Sequence, residues 1–168
     1  KTYQDRGVIR HIGLCNTHPS DLAKAQEIVK VDFLQSEMSL FRRDSLDSLS
    51  PDDFITMSWG TFDKGILTGR VFKDRKFDDA DCRSWAPWWN KKEVAEKVDR
   101  VRALSALLEK DDVSLKHIAL QFNLQCKRID LILAGSRTPE DLDEIMDLSL
   151  KPLEKTYIES ILEQWDKT

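Results

Sequence analysis

IDLILAGSRTPEDL, residues 129–142, decides the reading of the fold. The run from Ile129 to Leu133 is rich in apolar, β-prone residues, and it ends in the small residues Ala134, Gly135 and Ser136. Directly after it comes a helix start, with Thr138 as N-cap, Pro139 at the first helical position and Asp141 as the acid of a capping box. A strand that passes into a helix, with no two-residue hairpin turn, is one βα unit of a parallel sheet.

Three further runs of the same kind lie upstream: VIRHIGLCN from Val8, VDFLQSEMSLF from Val31 and FITMSWG from Phe54. Helical patterns separate them. SDLAKAQEIV places Leu22, Ala25, Ile28 and Val29 on one covering face, and Lys91 to Lys110 places Val94, Val98, Val101, Leu104 and Leu108 on another. Ser114 is the N-cap of a helix with Leu115, Ile118, Ala119 and Phe122 on one side. A last helix runs from about Pro152 to Trp165, with Leu153, Tyr157, Ile158, Leu162 and Trp165 inward.

The strand starts fall at intervals of 23, 23 and 75 residues, so the third interval holds an insertion. Residues 61–90 show no sustained period but contain Gly65, Gly69, Asp78, Asp79, Asp81 and the aromatic cluster Trp85, Trp88 and Trp89. A loop this long is usually functional or disordered, and its aromatic content argues for order. The tryptophans fit a pocket wall and a core anchor equally well.

The whole chain of 168 residues carries 26 Lys and Arg against 30 Asp and Glu, a net charge of −4, with 40% hydrophobic residues. That is the composition of one soluble folded unit over residues 1–168. Dispersed basic residues give no footprint for nucleic acid, and no apolar run approaches the roughly 18 residues needed to cross a bilayer. A polar beginning excludes a secretory signal in this stretch, and the expected location is cytoplasmic. The lack of an initiator Met suggests a fragment or a processed chain. Three widely spaced cysteines, Cys15, Cys82 and Cys126, suit free thiols better than a disulfide framework.

Four βα units make half of a (β/α)8 barrel, which takes about 250 residues. An open half leaves unpaired strand edges and an exposed inner face, which invite another chain or a missing half. A small open α/β sheet fits the same pattern.

Two stretches carry anion chemistry. In GSRTPEDL, helix N-terminal amides, the Ser136 hydroxyl and the Arg137 guanidinium can converge on a phosphate. An ordinary capped helix with a solvated Arg fits the same residues. In GTFDKGILTGR, glycines allow close backbone approach to a pyrophosphate, with Lys64 and Arg70 beside them, although neither a P-loop nor GxGxxG is present. Cys15, Asn16, Gln35 and Glu37 sit where parallel strands present ligand contacts. His11, Cys15 and His18 lack a fourth partner for zinc, so no metal is expected. His117 reads as structural, and no GxSxG, HExxH or CxxC is present.

In order, these pieces resemble the C-terminal half of the aldo-keto reductase superfamily. GVIRHIGLCN looks like the family's fifth strand and VDFLQSEMSLF its sixth. ITMSWGTFDKGILTGR looks like its seventh with the following loop, and ILAGSRTPEDLDEI its eighth with the cofactor-clamping helix. The resemblance implies an NADP(H)-dependent oxidoreductase that reduces aldehydes or ketones, or oxidises alcohols, by hydride transfer.

It implies that Cys15, Asn16 and Gln35 meet the nicotinamide carboxamide, and that Trp59 stacks on the ring. Gly60, Phe62 and Gly65 would line the pyrophosphate, with Arg70 and Arg83 in a cofactor-covering loop at about 61–90. Gly135, Ser136 and Arg137 would hold the adenosine 2′-phosphate, with Asp141 and Glu144 nearby. Cys15 stands where Ser is usual and Ile145 where Asn is frequent, and FRRDSLDSLSPDDF is short for the helix between strands six and seven.

The family's catalytic Asp, Tyr, Lys and His belong to its first four strands. No catalytic residue is therefore assigned, and the resemblance implies that they come from a complementary N-terminal half or another chain. A non-catalytic half-barrel acting as an interaction or regulatory subunit is the alternative.

Overall fold

The computed structural model describes residues 1–45 and 53–167. The central sheet has four parallel strands in the order β1 (Gly13–Cys15), β2 (Phe33–Glu37), β3 (Ile55–Trp59) and β4 (Leu131–Leu133). The helices are α1 (Thr2–Asp5), α2 (Pro19–Gln26), α3 (Lys91–Leu108), α4 (Leu115–Leu124), α5 (Pro139–Ser149) and α6 (Lys155–Trp165). The chain forms two compact units. The first comprises Lys1–Thr61 with Phe122–Ser136, and the second Phe62–Gln121 with the chain from Arg137 onward.

In the first unit the strands are shorter than the apolar runs that predict them. Val8 to Ile12 stay outside β1, and β2 ends at Glu37, before a tight turn in which Ser39 and Arg42 bridge. β1 pairs with β2 alone, so its length is set by the one register that links Gly13 to Phe33 and Cys15 to Gln35. The sheet has one buried face. Leu34, Ser36, Thr56 and Ser58 are buried on it, and Leu22 of α2 joins Leu34 and Val31 in a core backed by Leu14, Ala25, Phe54 and Ile129.

Successive strand residues point to opposite faces, and on the other face Ile55, Leu131 and Leu133 are 43%, 46% and 44% exposed. This open apolar face is what half of a barrel presents.

Two carboxylates stitch loops to this sheet. Asp130 accepts from the Thr56 N–H at 2.7 Å and the Thr56 hydroxyl at 2.9 Å, bonds that hold its pKa below the usual carboxylate range. Asp32 lies 2.9 Å from Lys30 and 3.2 Å from His11, and the Lys30 hydrogen bond is the main cause of its lowered pKa. Helix α2 is capped by His18, whose ring accepts from the Ser20 N–H at 3.3 Å. The helix stops at Gln26, so Ile28, expected on its covering face, is exposed.

In the second unit α3 follows its sequence pattern closely. Asn90 caps it, accepting from the Lys92 and Glu93 N–H groups, and Val94, Val98, Val101, Leu104 and Leu108 are all buried. Each such side chain contributes roughly 1.5–3 kcal/mol by leaving water. Helix α6 buries Ile158, Ile161 and Trp165 and packs on α3, and the Arg100 guanidinium lies 4.6 Å from the Trp165 ring centroid. Beneath α3, Asp63 is buried against Lys97 at 2.8 Å. Burial disfavours the Lys97 charge, but the hydrogen bonds and charges of Asp63 and Glu93 outweigh it and raise the pKa.

The insertion at 61–90 is built from two 3-10 turns, Asp63–Thr68 and Cys82–Ser84. Within the first, Lys64 and Gly65 have φ of 56° and 95°, so the turn is kinked. Residues 46–52 of FRRDSLDSLSPDDF lie outside the described residues. Among the described residues, no helix is long and apolar enough to cross a membrane.

Candidate functional site

The predicted site residues fall into two groups, one in each unit. The first group stands at the C-terminal ends of the strands, because register puts Cys15 beside Gln35 and Glu37 beside Trp59. After Cys15 the chain turns at Asn16, which adopts φ 52°. Asn tolerates this left-handed conformation better than most residues. The turn is fixed at both ends: the Asn16 N–H donates to the Gln35 carbonyl at 2.8 Å, and its Oδ1 accepts from the Trp59 indole at 3.1 Å.

Asn16, Gln35 and Trp59 are thus brought together, with the exposed thiol of Cys15 one residue away. Gly60 follows Trp59 at φ 79°, and a Cβ there would lie 3.2 Å from Glu37 Cγ. Gly135 and Ser136 are exposed beyond β4, and a Cβ on Gly135 would meet nothing within 4 Å. A ligand can therefore approach that backbone closely.

The second group is a network of charges. Arg83 is clamped by Asp81 at 2.5 Å and donates to the Lys64 carbonyl at 2.9 Å. Its guanidinium also lies 4.2 Å from the Phe77 ring centroid and 5.9 Å from that of Trp89. Trp89 stacks edge-on to Phe77, which makes it the anchor of the loop, whereas Trp85 is exposed. Gly65 leaves the room Arg83 needs, since a Cβ there would sit 3.1 Å from Nη1. Phe62 is buried at the start of the same turn, where its carbonyl accepts from Gly65 and Leu67.

Asp81 also faces Arg137 at 3.4 Å, and the hydrogen bonds from Arg83 hold its pKa far below the carboxylate range. Arg137 keeps a side chain 71% exposed.

At α5 the expected cap is present: the Thr138 hydroxyl accepts from the Asp141 N–H at 3.1 Å. The capping box does not close through Asp141. Its carboxylate instead accepts from Arg70 at 2.7 Å and from Lys116 at 3.0 Å, and these two partners, Lys116 first, lower its pKa. Glu140 takes the place beside Thr138, and bonds to its own N–H and to Thr138 lower its pKa. Glu144 lies 2.5 Å from Lys116 and 3.7 Å from Arg70.

Lys116 carries no sequence signal, and Asp81 stands out in the sequence only as one of three aspartates in the insertion. Lys116 sits between apolar Leu115 and Ile118 on α4 and reads as a solvated residue until its partners on α5 are seen.

The other candidates resolve into structural roles. The His117 ring donates from Nε2 to the Lys151 carbonyl at 2.6 Å, and His11 pairs with Asp32. Among the described residues, no three His, Cys, Asp or Glu side chains are grouped to hold a metal, and all three cysteines are free thiols.

The model of the "Aldo/keto reductase family" matches residues 1–166. The chain belongs to the aldo/keto reductase family. Within that family it is 28% identical over 171 residues to the aldo-keto reductase YhdN of Bacillus subtilis (strain 168), an alignment covering 97% of this chain and 52% of the relative.

Two solved aldo/keto reductase-type structures share the fold. The glycerol dehydrogenase AKR11B4 of Gluconobacter oxydans superposes with a TM-score of 0.61 at 20% identity, covering 92% of this chain and 54% of that one. The apo aldo-keto reductase AKR11C1 of Bacillus halodurans gives 0.64 at 15% identity, with 98% and 53% covered. The chain thus spans about half the length of the aldo/keto reductases it matches.

Proposed function

We propose that this chain is the C-terminal half of an NADP(H)-dependent aldo/keto reductase, corresponding to strands five to eight of the barrel and carrying its cofactor site. The observation that supports it most is the set of cations assembled around the start of α5. Arg70 and Arg137 are both more than half exposed, and they accompany the N-terminal amides of a well-capped helix. A helix N-terminus of this kind favours phosphate, and Arg suits bidentate phosphate recognition.

Each unit carries donors of the kinds the dinucleotide needs. Gly135 offers an approachable backbone, Ser136 a hydroxyl and Arg137 a guanidinium for the 2′-phosphate. Gly60, Phe62 and Gly65 would line the pyrophosphate, with Arg70 and Arg83 in the loop at about 61–90 that would fold over the dinucleotide. Asn16 and Gln35 would orient the carboxamide, and Trp59, held by Asn16, would present its ring to the nicotinamide. Asp141 and Glu144 would border the adenosine end, and Cys15 would join Asn16 and Gln35 at the carboxamide. Hydride transfer to an aldehyde or ketone, or from an alcohol, is the chemistry the dinucleotide supplies when bound.

Nothing in the chain protonates the carbonyl oxygen in this reading. The proton donor, with a pKa tuned by its neighbours, belongs to the complementary N-terminal half. The chain alone binds nucleotide without turnover.

Titration calorimetry with NADP+ and NAD+ on the full chain tests the first part, and NADPH oxidation before and after adding a complementary N-terminal half tests the second. Steady NADPH oxidation by material of this chain's intact mass alone would refute the reading.

One observation favours the second reading, a non-catalytic interaction or regulatory half-barrel. Ile145, where the family often carries Asn, is buried. Its side chain is therefore committed to packing. Absence of any nucleotide binding would select that reading.

A further inference from the structure

Lys116 is the one lysine of this network that solvent scarcely reaches. Its side chain is 6% exposed, and it stands 3.0 Å from Asp141 and 2.5 Å from Glu144. Arg70 meets the same two carboxylates from a position 59% exposed, at 2.7 Å and 3.7 Å. Two anions are thus balanced by two cations, one buried and one facing water.

Taking an ammonium out of water is costly unless its partners are well placed, so the arrangement is not one that packing alone would favour. A cavity of about 240 Å³ opens beside the cluster, and Thr68, Arg70, Ser114, Lys116 and Glu144 are among its lining residues.

The balance matters because Asp141 and Glu144 lie in the first two turns of α5, where a phosphate is expected. Uncompensated, they would repel it and draw the Arg70 guanidinium inward. A guanidinium has five N–H donors, and only Nη1 of Arg70 makes a side-chain hydrogen bond among the described residues. Its remaining donors stay available as long as Lys116 holds the carboxylates from the buried side.

We propose that Lys116 is a positioning residue that sets the preference for a 2′-phosphorylated ribose over an unphosphorylated one, by neutralising Asp141 and Glu144 and so leaving Arg70 to engage phosphate. The proposal rests on the NADP reading above. It adds a residue that does not touch the nucleotide and whose effect is confined to the 2′-phosphate.

The test uses two probes that differ only by the 2′-phosphate, 2′,5′-ADP and 5′-AMP, with calorimetric Kd values on the full chain and thermal melts to establish folding. Lys116→Met weakens 2′,5′-ADP about tenfold, since one uncompensated carboxylate faces the phosphate, and changes 5′-AMP less than about twofold. Adding Glu144→Gln to it restores the preference. Glu144→Gln alone keeps Lys116 paired with Asp141 and tightens 2′,5′-ADP roughly threefold, which reads the same balance in a variant with no buried unpaired charge.

Equal weakening of both probes by Lys116→Met, no change in either, or weaker 2′,5′-ADP binding in Glu144→Gln would overturn the proposal. Arg137→Met separates this failure from that of the NADP reading. If the wild-type chain prefers 2′,5′-ADP and Arg137→Met abolishes the preference while Lys116→Met does not, only the role of Lys116 falls. If the wild-type chain shows no preference, both fall.

Discussion

The Trp59 indole donates to the side chain of Asn16 at 3.1 Å, although 43 residues separate them. Asn16 also holds a left-handed backbone and bonds the Gln35 carbonyl through its N–H. One residue thereby ties the ends of three strands. Replacing it by Ala removes the side-chain acceptor and places a less tolerant residue at φ 52°, for an expected loss of about 2 kcal/mol in urea unfolding. Asn16→Gly relieves the backbone and loses only the hydrogen bond. It should therefore unfold at a midpoint between wild type and Asn16→Ala, and equal midpoints for the two variants would contradict the strain argument.

Gly65 is the corresponding position in the insertion. Its φ of 95° and the 3.1 Å distance from an added Cβ to Arg83 Nη1 make Gly65→Ala costly twice over. We expect roughly 1–3 kcal/mol of destabilisation, together with faster proteolytic nicking between residues 73 and 80, because Arg83 loses its seat on the Lys64 carbonyl. A limited-digestion time course compares the two proteins directly.

Asp81 gives the chain an acid sensitivity with a definite sign. Its folded-state pKa is depressed, chiefly by hydrogen bonds from Arg83. The stabilisation is present above the unfolded value of about 3.9 and is lost as pH falls through the folded one. Asp81→Asn should be less stable than wild type near neutrality and lose less on acidification, so that melting curves from about pH 7 to about pH 2 converge. Parallel curves would show that Asp81 is not the group involved.

Tyr157 acts at the other end of the scale. Burial first, and then the carboxylate of Asp111 at 3.0 Å, push its phenol up to about 12. A raised folded pKa contributes stability that is full below the unfolded value of about 10 and lost as pH rises toward 12. Phenolate absorbance should show a step near 12 that Tyr157→Phe removes.

Much of this architecture was legible in the sequence because it depends on near neighbours. Thr138 and Ser114 announce helix starts, and the spacing of Val94, Val98, Val101, Leu104 and Leu108 alone defines the buried face of α3. Strand lengths were not legible, since apolarity at Val8 or Met38 is equally compatible with a turn, and pairing register sets the limit. Long-range pairs were the least legible. Nothing local says that Asp141 will leave its cap for Arg70 and Lys116, or that Asp81, beside Arg83, will also meet Arg137, because each depends on residues brought from tens of positions away.

The pairing of β3 with β4 also carries a kinetic consequence. Trp59 and Leu133 lie side by side in register, yet the chain between those strands is far longer than that between β2 and β3. Closing the longer loop costs about 1 kcal/mol more in chain entropy, and non-local pairings of this kind slow folding. The ladder from β1 to β3 can therefore assemble from a nascent chain while β4 is still unmade, and the Thr56 to Asp130 bonds become the last fastening of the sheet. An amide-exchange pulse during refolding should find Gln35 and Met57 protected before Ile132.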